Sequence, residues 1–357
     1  MITEGLRALL RSRLPPVPAI VWPVCAAEIA SKPQSYPAGQ AGLAGSGRLA
    51  AEAIALVYIG VIASIASATG AFYVLFPELG ALSHDVFTRP RGTWARAPVL
   101  LAITPPLAGA IGIAITRTLP YGMLSVLTVV CSSMLLIIAL KSPIAPSISA
   151  GLLPLVLGVK SWWYPPAILF GTVLLAALAN VWRRYWERDH YATRLADRTE
   201  DALERSPHNY RDLLPLIAFV AAATAAVELT NLRFILFPPL VVIGFEMFGH
   251  PEICPWASRL LVLPVACFLT ALAGLVLFKL VGGNPLTAAL AMAAGIAVLR
   301  VLDLHVPPGL AVALLPMVMD HPTYAYPLSV GIGTLSMTLW FRGWKAVATR
   351  HFPGQPP

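Results

Sequence analysis

The chain has 357 residues, of which 57% are hydrophobic and only 12% are charged, and its mean hydropathy is +0.74. A water-soluble domain of this length needs far more charge to cover its surface, so the composition excludes one. The formal net charge of +8 therefore indicates membrane topology first, and nucleic-acid binding is not expected because no soluble basic face with aromatic platforms is present.

Residues 1–50 are predicted to form an N-terminal interfacial helix and a linker. Leucines alternate with arginines over residues 1–13, which is typical of a short helix at the headgroup level. A signal peptide is the alternative, since the basic start precedes an apolar stretch that ends near Cys25. Prolines in residues 14–18 argue against the helical core that a signal peptide needs. Residues 31–47 are rich in Pro, Gly and Ser and are predicted to be the linker.

A first membrane region is predicted over residues 51–182. Its apolar spans have roughly the 20 residues that cross a bilayer core. They cover about residues 51–76, 97–116, 121–140 and 162–182. Between the third and fourth spans, residues 142–158 are apolar but are interrupted by three prolines. This stretch is too short and too broken to cross fully, so the sequence predicts a re-entrant segment or half-helix.

The second part of the chain begins with a hydrophilic stretch, residues 183–212, that carries seven basic and seven acidic residues. This balance predicts a cytoplasmic connector with a salt-bridged amphipathic helix. Residues 213–341 form a second predicted membrane region, and residues 342–357 form a C-terminal tail. The second region has spans at about residues 213–237, 260–281, 285–302 and 324–341, with a short broken segment at 305–319.

The two membrane regions are related as internal repeats. Leu75-Phe76-Pro77 recurs as Leu236-Phe237-Pro238, and Tyr164-Pro165 recurs as Tyr326-Pro327 at almost the same offset along the chain. Repeated hydrophobic halves are found in many transporters, whose substrate sites lie where the halves meet. The sequence thus predicts an all-α polytopic membrane protein with two parallel repeats of about four transmembrane helices, each with a short broken or re-entrant segment.

The distribution of basic residues predicts the orientation. With four crossings per repeat, 17 basic residues fall on the side of the termini and connector, including Arg117 and Lys279. The opposite side receives seven, which are Arg89, Arg91, Arg96, Lys141, Lys160, Arg259 and Arg300. We therefore expect a multi-pass protein of the cell inner membrane with both termini in the cytoplasm. If the broken segments cross, the halves invert and the basic connector lies outside.

One segment carries a family resemblance. Leu304-His305-Val306-Pro307-Pro308-Gly309-Leu310-Ala311 resembles the motif of the HPP family of integral membrane proteins, named for its His-Pro-Pro sequence. The stretch from Phe76-Pro77 to Pro90-Arg91 is similar to the family's apolar segment that ends in a Pro-Arg turn. Here Val306 separates the histidine from the prolines, and the first copy has Pro143-Ile144-Ala145-Pro146. The resemblance implies about four spans per unit, and some plant members are associated with nitrite transport.

His305 is the first candidate for a substrate contact. Histidine titrates near neutral pH, so His305 could bind a substrate or accept a proton, and the alternative is a side chain that caps the broken segment. Pro307, Pro308 and Gly309 are predicted to start a half-helix whose unpaired N–H groups face an anion. The first copy offers further groups at the matching place, namely Pro143, Pro146, Ser147 and Ser149.

A second group of candidates lies at the end of the first span of the second repeat. Glu228 and Asn231 are three residues apart and share a helix face. Arg233 is predicted to hold an anion, while Glu228 or Asp303 couples a proton. A structural Glu–Arg pair near the interface is the alternative. Asp85 and Glu246 match across the repeats, and loop solvation or helix capping is the favoured interpretation.

These features predict a secondary transporter or channel for a small solute, with an inorganic anion as the first candidate and the site between the two repeats. The alternatives are a non-transporting membrane scaffold or complex subunit, and an intramembrane enzyme that acts on lipid. No catalytic motif, cofactor or metal-ligand cluster is evident, so we expect no enzyme and no catalytic residues. Membrane lipid is the expected surrounding, and a homo-oligomer is left open.

Overall fold

A computed structural model describes residues 45–190, 199, 201–205, 207, 210–257 and 259–351. The predicted N-terminal interfacial helix, most of the linker and much of the connector lie outside these residues, as does the end of the C-terminal tail. Throughout the part of the chain that is described, the regular structure is helical and no strand occurs.

The first half of the chain forms long helices separated by short ones. In order these are α1 (Gly45–Thr69), a 3₁₀ turn (Phe72–Val74), α2 (Glu78–Thr88), α3 (Thr93–Arg96), α4 (Pro98–Thr118), α5 (Met123–Leu140), α6 (Ser147–Leu157) and α7 (Tyr164–His190). Prolines stand at or just before several helix starts, where their missing N–H has no helical partner to lose. The C-terminus of α6 is closed by Gly158, which adopts a left-handed conformation with φ of 73°.

The second half follows the same order. It contains a 3₁₀ turn (Tyr210–Leu213), α8 (Leu214–Thr230), a 3₁₀ turn (Arg233–Leu236), α9 (Pro238–Gly249), α10 (Val262–Val281), α11 (Pro285–Val301), α12 (Pro308–Leu314) with a 3₁₀ turn (Leu315–Met317), and α13 (Ala325–His351). The predicted spans thus correspond to helices, although the first spans of both halves end at Thr69 and Thr230 rather than at the phenylalanines after them.

The helices α1, α4, α5, α7 and α10 are long and apolar enough to cross a membrane. Shorter apolar helices accompany them, including α8 and α11. Large apolar side chains such as Leu124 and Trp163 are 69% and 73% exposed, which a lipid environment accommodates and water does not. The prediction of an α-helical, multi-pass membrane protein is confirmed.

Four short helices are almost entirely buried: α2, α6, α9 and α12. The helices α6 and α12 lie where the sequence predicted broken segments. In contrast, α2 and α9 lie where it predicted loops between the first and second spans, and that prediction is wrong. Their backbone is hydrogen-bonded internally, so the protein can bury them although they are too short to cross a bilayer alone.

The short helices pack across the two halves. Helix α2 of the first half packs against α12 of the second, and α9 of the second half packs against α6 of the first. The long helices also cross over, since α1 packs against α11 and α5 packs against α8. Short and long helices therefore both contribute to the contact between the halves.

The loops gather on two sides, which we name by position. On the connector side, Arg89 and Thr93 contact Asp201, and His250 contacts the carbonyl of Arg205. On the far side, the Arg117 guanidinium donates to the Lys160 carbonyl at 2.8 Å. Because α2 carries the chain back from the far side, Arg89 lies beside the connector and not opposite it.

This arrangement corrects the predicted distribution of basic residues. Arg259 pairs with Asp303 and Arg300 with Glu52, both on the connector side rather than opposite it. Arg117 joins Lys160 on the far side, where Lys279 also lies, above the ring of Tyr324. Each short helix carries the chain back toward the side it came from. The number of spans counted from the sequence omitted these passages, so several loops were assigned to the wrong side.

Equivalent contacts hold the helices in both halves. The Tyr164 hydroxyl donates to the Ala150 carbonyl at 2.9 Å, and the Tyr326 hydroxyl donates to the Val312 carbonyl at 2.5 Å, so donor and acceptor both occupy matching positions in the two halves. A Cβ atom on Gly112 would overlap the Gly151 carbonyl. One on Gly274 would overlap the Ala313 carbonyl in the same way.

Candidate functional site between the two halves

Helix α2 ends in a buried cluster of charges on the connector side. The Arg89 side chain, 3% exposed, donates from Nε to Asp85 Oδ1 at 2.6 Å. Its guanidinium also pairs with Glu204 and, at 3.3 Å, with Asp201. A buried guanidinium is costly unless carboxylates compensate it, so this cluster ties the connector to the first half.

A second ion-pair group joins the two halves beside the first. Arg300 on α11 donates to both carboxylate oxygens of Glu52 on α1 at 2.6 Å. Arg48 adds a contact to Glu52 at 3.2 Å, and His84 Nε2 lies 3.9 Å from the same carboxylate. The imidazoles of His84 and His305 are 6.3 Å apart between ring centres, so histidines from both halves meet here.

A small cavity lies among these groups. Its walls are formed by Arg89, Trp94, Leu203, Glu204, Glu246, Trp256, His305 and Pro307. Both halves and the connector contribute, and the two tryptophans occupy equivalent positions in the two halves. The cavity has a volume of about 10 Å³, which is room for roughly one water molecule. In this conformation the site is closed.

The other end of α2 carries Glu78, which is only 1% exposed. Within the described residues, neither of its carboxylate oxygens has a hydrogen-bond partner. The Ser149 hydroxyl in the first turn of α6 interacts with the Glu78 carboxyl group, and Tyr164 and Tyr326 are also within electrostatic reach of it. The Ser147 hydroxyl is also buried and without a hydrogen-bond partner in the described chain. The first turns of α2 and α6 therefore meet in a buried polar region.

The predicted residues around His305 lie at the cavity. His305 and Pro307 line it, and Pro308 and Gly309 begin α12. The N–H groups of Gly309 and Leu310 donate to the carbonyls of Val306 and Pro307, both at 2.9 Å. These two N–H groups are therefore already bonded, and the prediction that they are unpaired and face an anion is wrong for them.

The matching residues of the first copy have separate positions. The Pro143 carbonyl accepts a hydrogen bond from Trp94 Nε1 at 3.0 Å, and Pro146 precedes the first residue of α6. Ser147 and Ser149 are 0% and 1% exposed. Ser149 lies near Glu78, and neither serine lines the cavity around Arg89.

Glu228, Asn231 and Arg233 lie on the far side, away from His305. Glu228 Oε1 accepts from the Met123 N–H at 3.0 Å, and the Arg233 guanidinium stands 5.3 Å from the centre of the Tyr121 ring. Asn231 follows α8 in a left-handed conformation with φ of 58°, which asparagine tolerates well. All three are exposed.

Asp303 occupies a helix end on the connector side. It has a left-handed φ of 48°, its side chain is 73% exposed, and Arg259 approaches its carboxylate at 3.9 Å. The structure places Asp303 and Glu228, the two alternatives for proton coupling, on opposite sides of the molecule, and both are exposed.

Several residues of the cluster were missed by the sequence analysis, namely Glu52, Glu78, His84, Arg89, Glu204 and Arg300. The expectation that Asp85 and Glu246 are solvated in loops or cap a helix is wrong, since they lie within α2 and α9 and are 0% and 3% exposed. A signal was present, because residues 78–87 form a short, mostly apolar stretch between prolines that contains three ionisable groups. Within the described residues, no group of three or more His, Cys, Asp or Glu side chains could hold a metal ion.

Residues 213–353 match the family model described as HPP, transmembrane region. The match covers the second membrane half, including the segment around His305. No curated protein and no solved structure matches the chain. The resemblance inferred from the His305 segment is confirmed.

Proposed function

We propose, from the premise that this chain belongs to the HPP family of membrane proteins through residues 213–353, that it is a secondary transporter or channel for a small solute. The observation that carries the proposal is the buried polar contact between the halves. Ionisable groups inside a membrane protein are costly and usually mark a substrate or ion pathway. Here several of them lie along α2, which packs against α1 of the first half and against α12 of the second.

We further propose that the halves are parallel repeats. Helices recur in the same order, and the tyrosine bonds and glycine contacts recur at one constant spacing along the chain. Both α1 and α8 start on the connector side, as parallel repeats require. Solute passage then involves movement of one half against the other around the short helices.

The orientation prediction is retained on a corrected basis. Of the basic residues in the described part of the chain, those on the far side are Arg117, Lys160, Arg233 and Lys279. The connector side is more basic, which favours the cytoplasm for it. Both termini are then cytoplasmic.

A small inorganic anion is the first solute to test. Arg89, His84 and His305 place one permanent and two titratable cations beside the cavity. Three carboxylates outnumber the charge of Arg89, so the site needs protonated histidines before it can accept an anion. The site would then accept the anion together with protons.

The test is uptake into proteoliposomes from a panel of small inorganic anions, including nitrite. Loss of a direct polar contact worth about 1.4 kcal/mol lowers affinity roughly tenfold, so His305→Ala should reduce uptake about tenfold at low anion concentration. We expect a smaller reduction for Arg233→Ala, because Arg233 lies on the far side. Glu252→Gln, an exposed carboxylate paired with Lys345, is the matched control. Equal uptake by all variants would show that the assigned site does not bind the anion.

The alternative, a scaffold or complex subunit, is favoured by one observation. The cavity between the halves has room for about one water molecule in this conformation. A scaffold would give no anion uptake above that of protein-free liposomes for any member of the panel. A transporter would give uptake that saturates with anion concentration.

A further inference from the structure

Glu78 is a buried carboxyl group that no cation compensates within the described structure. It lies at the first position of α2, is 1% exposed, and has neither an ion pair nor a hydrogen bond to its carboxylate oxygens within the described residues. A carboxylate without a cation is strongly destabilised in an apolar interior even beside one hydroxyl, whereas the neutral acid is tolerated. The closed conformation therefore fits Glu78 with a bound proton.

We propose that Glu78 is the proton-binding site that couples proton movement to solute transport, an inference that rests on the proposed function. Glu78 binds a proton while the halves are closed and releases it when their separation lets water reach the start of α2. This role replaces the one predicted for Glu228 and Asp303, which are exposed at opposite sides of the protein.

The surroundings of Glu78 favour a proton over a metal cation. The groups that face it are the Ser149 hydroxyl on α6, Tyr164 on α7 and Tyr326 on α13. Both tyrosine hydroxyls donate to backbone carbonyls, and no second carboxylate is among the facing groups. Hard cations bind six or more oxygen ligands at short distance, which this set does not supply.

The position of Glu78 links protonation to movement of the halves. Two residues further along α2, Gly80 lies directly against Leu314 of α12, and a Cβ there would come within 2.6 Å of its Cδ1. A separation of α2 from α12 therefore opens the region beside Glu78. Asp85 lies two turns later on the same face of α2, between Glu78 and the connector side.

Carbodiimide labelling of the intact, purified protein tests whether Glu78 holds a proton. An apolar carbodiimide adds to a protonated carboxyl: the acid proton moves to one nitrogen, the carboxyl oxygen bonds to the central carbon, and rearrangement gives a stable N-acylurea without loss of atoms. We expect peptide mass spectrometry to find the adduct on Glu78 at mildly acidic pH and to lose it at alkaline pH. Asp85 and Glu204, held by Arg89, should stay unmodified. An unmodified Glu78 at every pH would overturn the proposal.

Proton flux in proteoliposomes tests the coupling. With an internal pH dye and an imposed anion gradient, wild-type protein should move protons with the solute. Glu78→Gln mimics the neutral acid and is expected to fold, to exchange anion and to lose proton movement at least tenfold. Glu252→Gln should retain both.

The remaining outcomes are also decisive. Proton movement in Glu78→Gln equal to that of the wild type would refute the coupling role even if Glu78 is labelled. Absence of solute flux from every liposome would overturn the transport function and the coupling with it. The labelling result would still show whether Glu78 binds a proton.

Discussion

Helices α2 and α9 occupy equivalent places in the two halves, and both are almost wholly buried, yet they differ in chemistry. Helix α2 contains Glu78, His84 and Asp85, whereas the ionisable residue of α9 is Glu246. At the position that matches Glu78 the second half has Pro239. The comparison teaches that both halves keep the same helical frame, while one of them carries most of the buried charge.

The difference extends to the residue that follows each helix. Arg89 after α2 compensates three carboxylates, but its counterpart, His250, bonds through Nε2 to the Arg205 carbonyl at 2.9 Å. Both residues hold part of the connector. The first does so through charge and the second through a hydrogen bond to backbone.

The largest expected effect concerns the shared frame. Gly112→Ala and Gly274→Ala each place a methyl group against a backbone carbonyl of the facing short helix, which neither helix can avoid without moving. We expect each to lower the free energy of unfolding by more than about 4 kcal/mol. Size-exclusion chromatography and thermal unfolding in detergent measure this. Gly343→Ala, where no atom lies within reach, is the control. If alanine is tolerated at only one of these two glycines, the two halves do not pack in the same way.

The charged cluster gives the next largest effect. Arg89→Ala leaves Asp85 and Glu204 buried without their cation, so we expect a loss of roughly 3–5 kcal/mol in unfolding free energy. His250→Ala removes a neutral hydrogen bond and should cost about 1–2 kcal/mol. Chemical unfolding of both variants under the same conditions measures the two losses of unfolding free energy. Equal losses would contradict the distinction between charge and hydrogen bonding.

The smallest effect concerns the paired tyrosines. Tyr164→Phe and Tyr326→Phe each remove one hydroxyl that donates to a carbonyl of a short helix, at 2.9 Å and 2.5 Å. Each should lose about 1 kcal/mol of stability. Both hydroxyls face Glu78, so the double variant measures how far the two losses of stability depend on each other. A much larger effect for Tyr326→Phe alone would show that the halves are packed differently.

The long helices were predictable, and the short ones only in part. An apolar stretch such as residues 123–140 has one stable solution in lipid, a helix, so α5 followed from hydropathy. Helix α6 was indicated by prolines inside an apolar stretch. Helix α2 was missed because its ionisable residues suggested a solvated loop, and only burial between two halves makes a helix of that composition acceptable.

The candidate site was predictable only around His305. Its position before two prolines at a helix start identified one wall of the cavity. Arg89, Glu204 and Glu52 are distant in sequence, so their meeting depends on how the helices pack. Asn231 and Asp303 drew attention as polar residues near membrane spans, but their left-handed backbone shows that they end helices.

The sequence by itself determined that this protein is a helical, multi-pass membrane protein whose residues 213–353 match the HPP transmembrane region. Those properties depend on hydropathy, on the positions of the prolines and on a short motif, which are all local features of the sequence. Only the tertiary structure decided which side each loop occupies and which charges meet. The physical reason is that a short buried helix has no distinctive pattern of its own, because its backbone and charges are satisfied by neighbours from the other half and the connector.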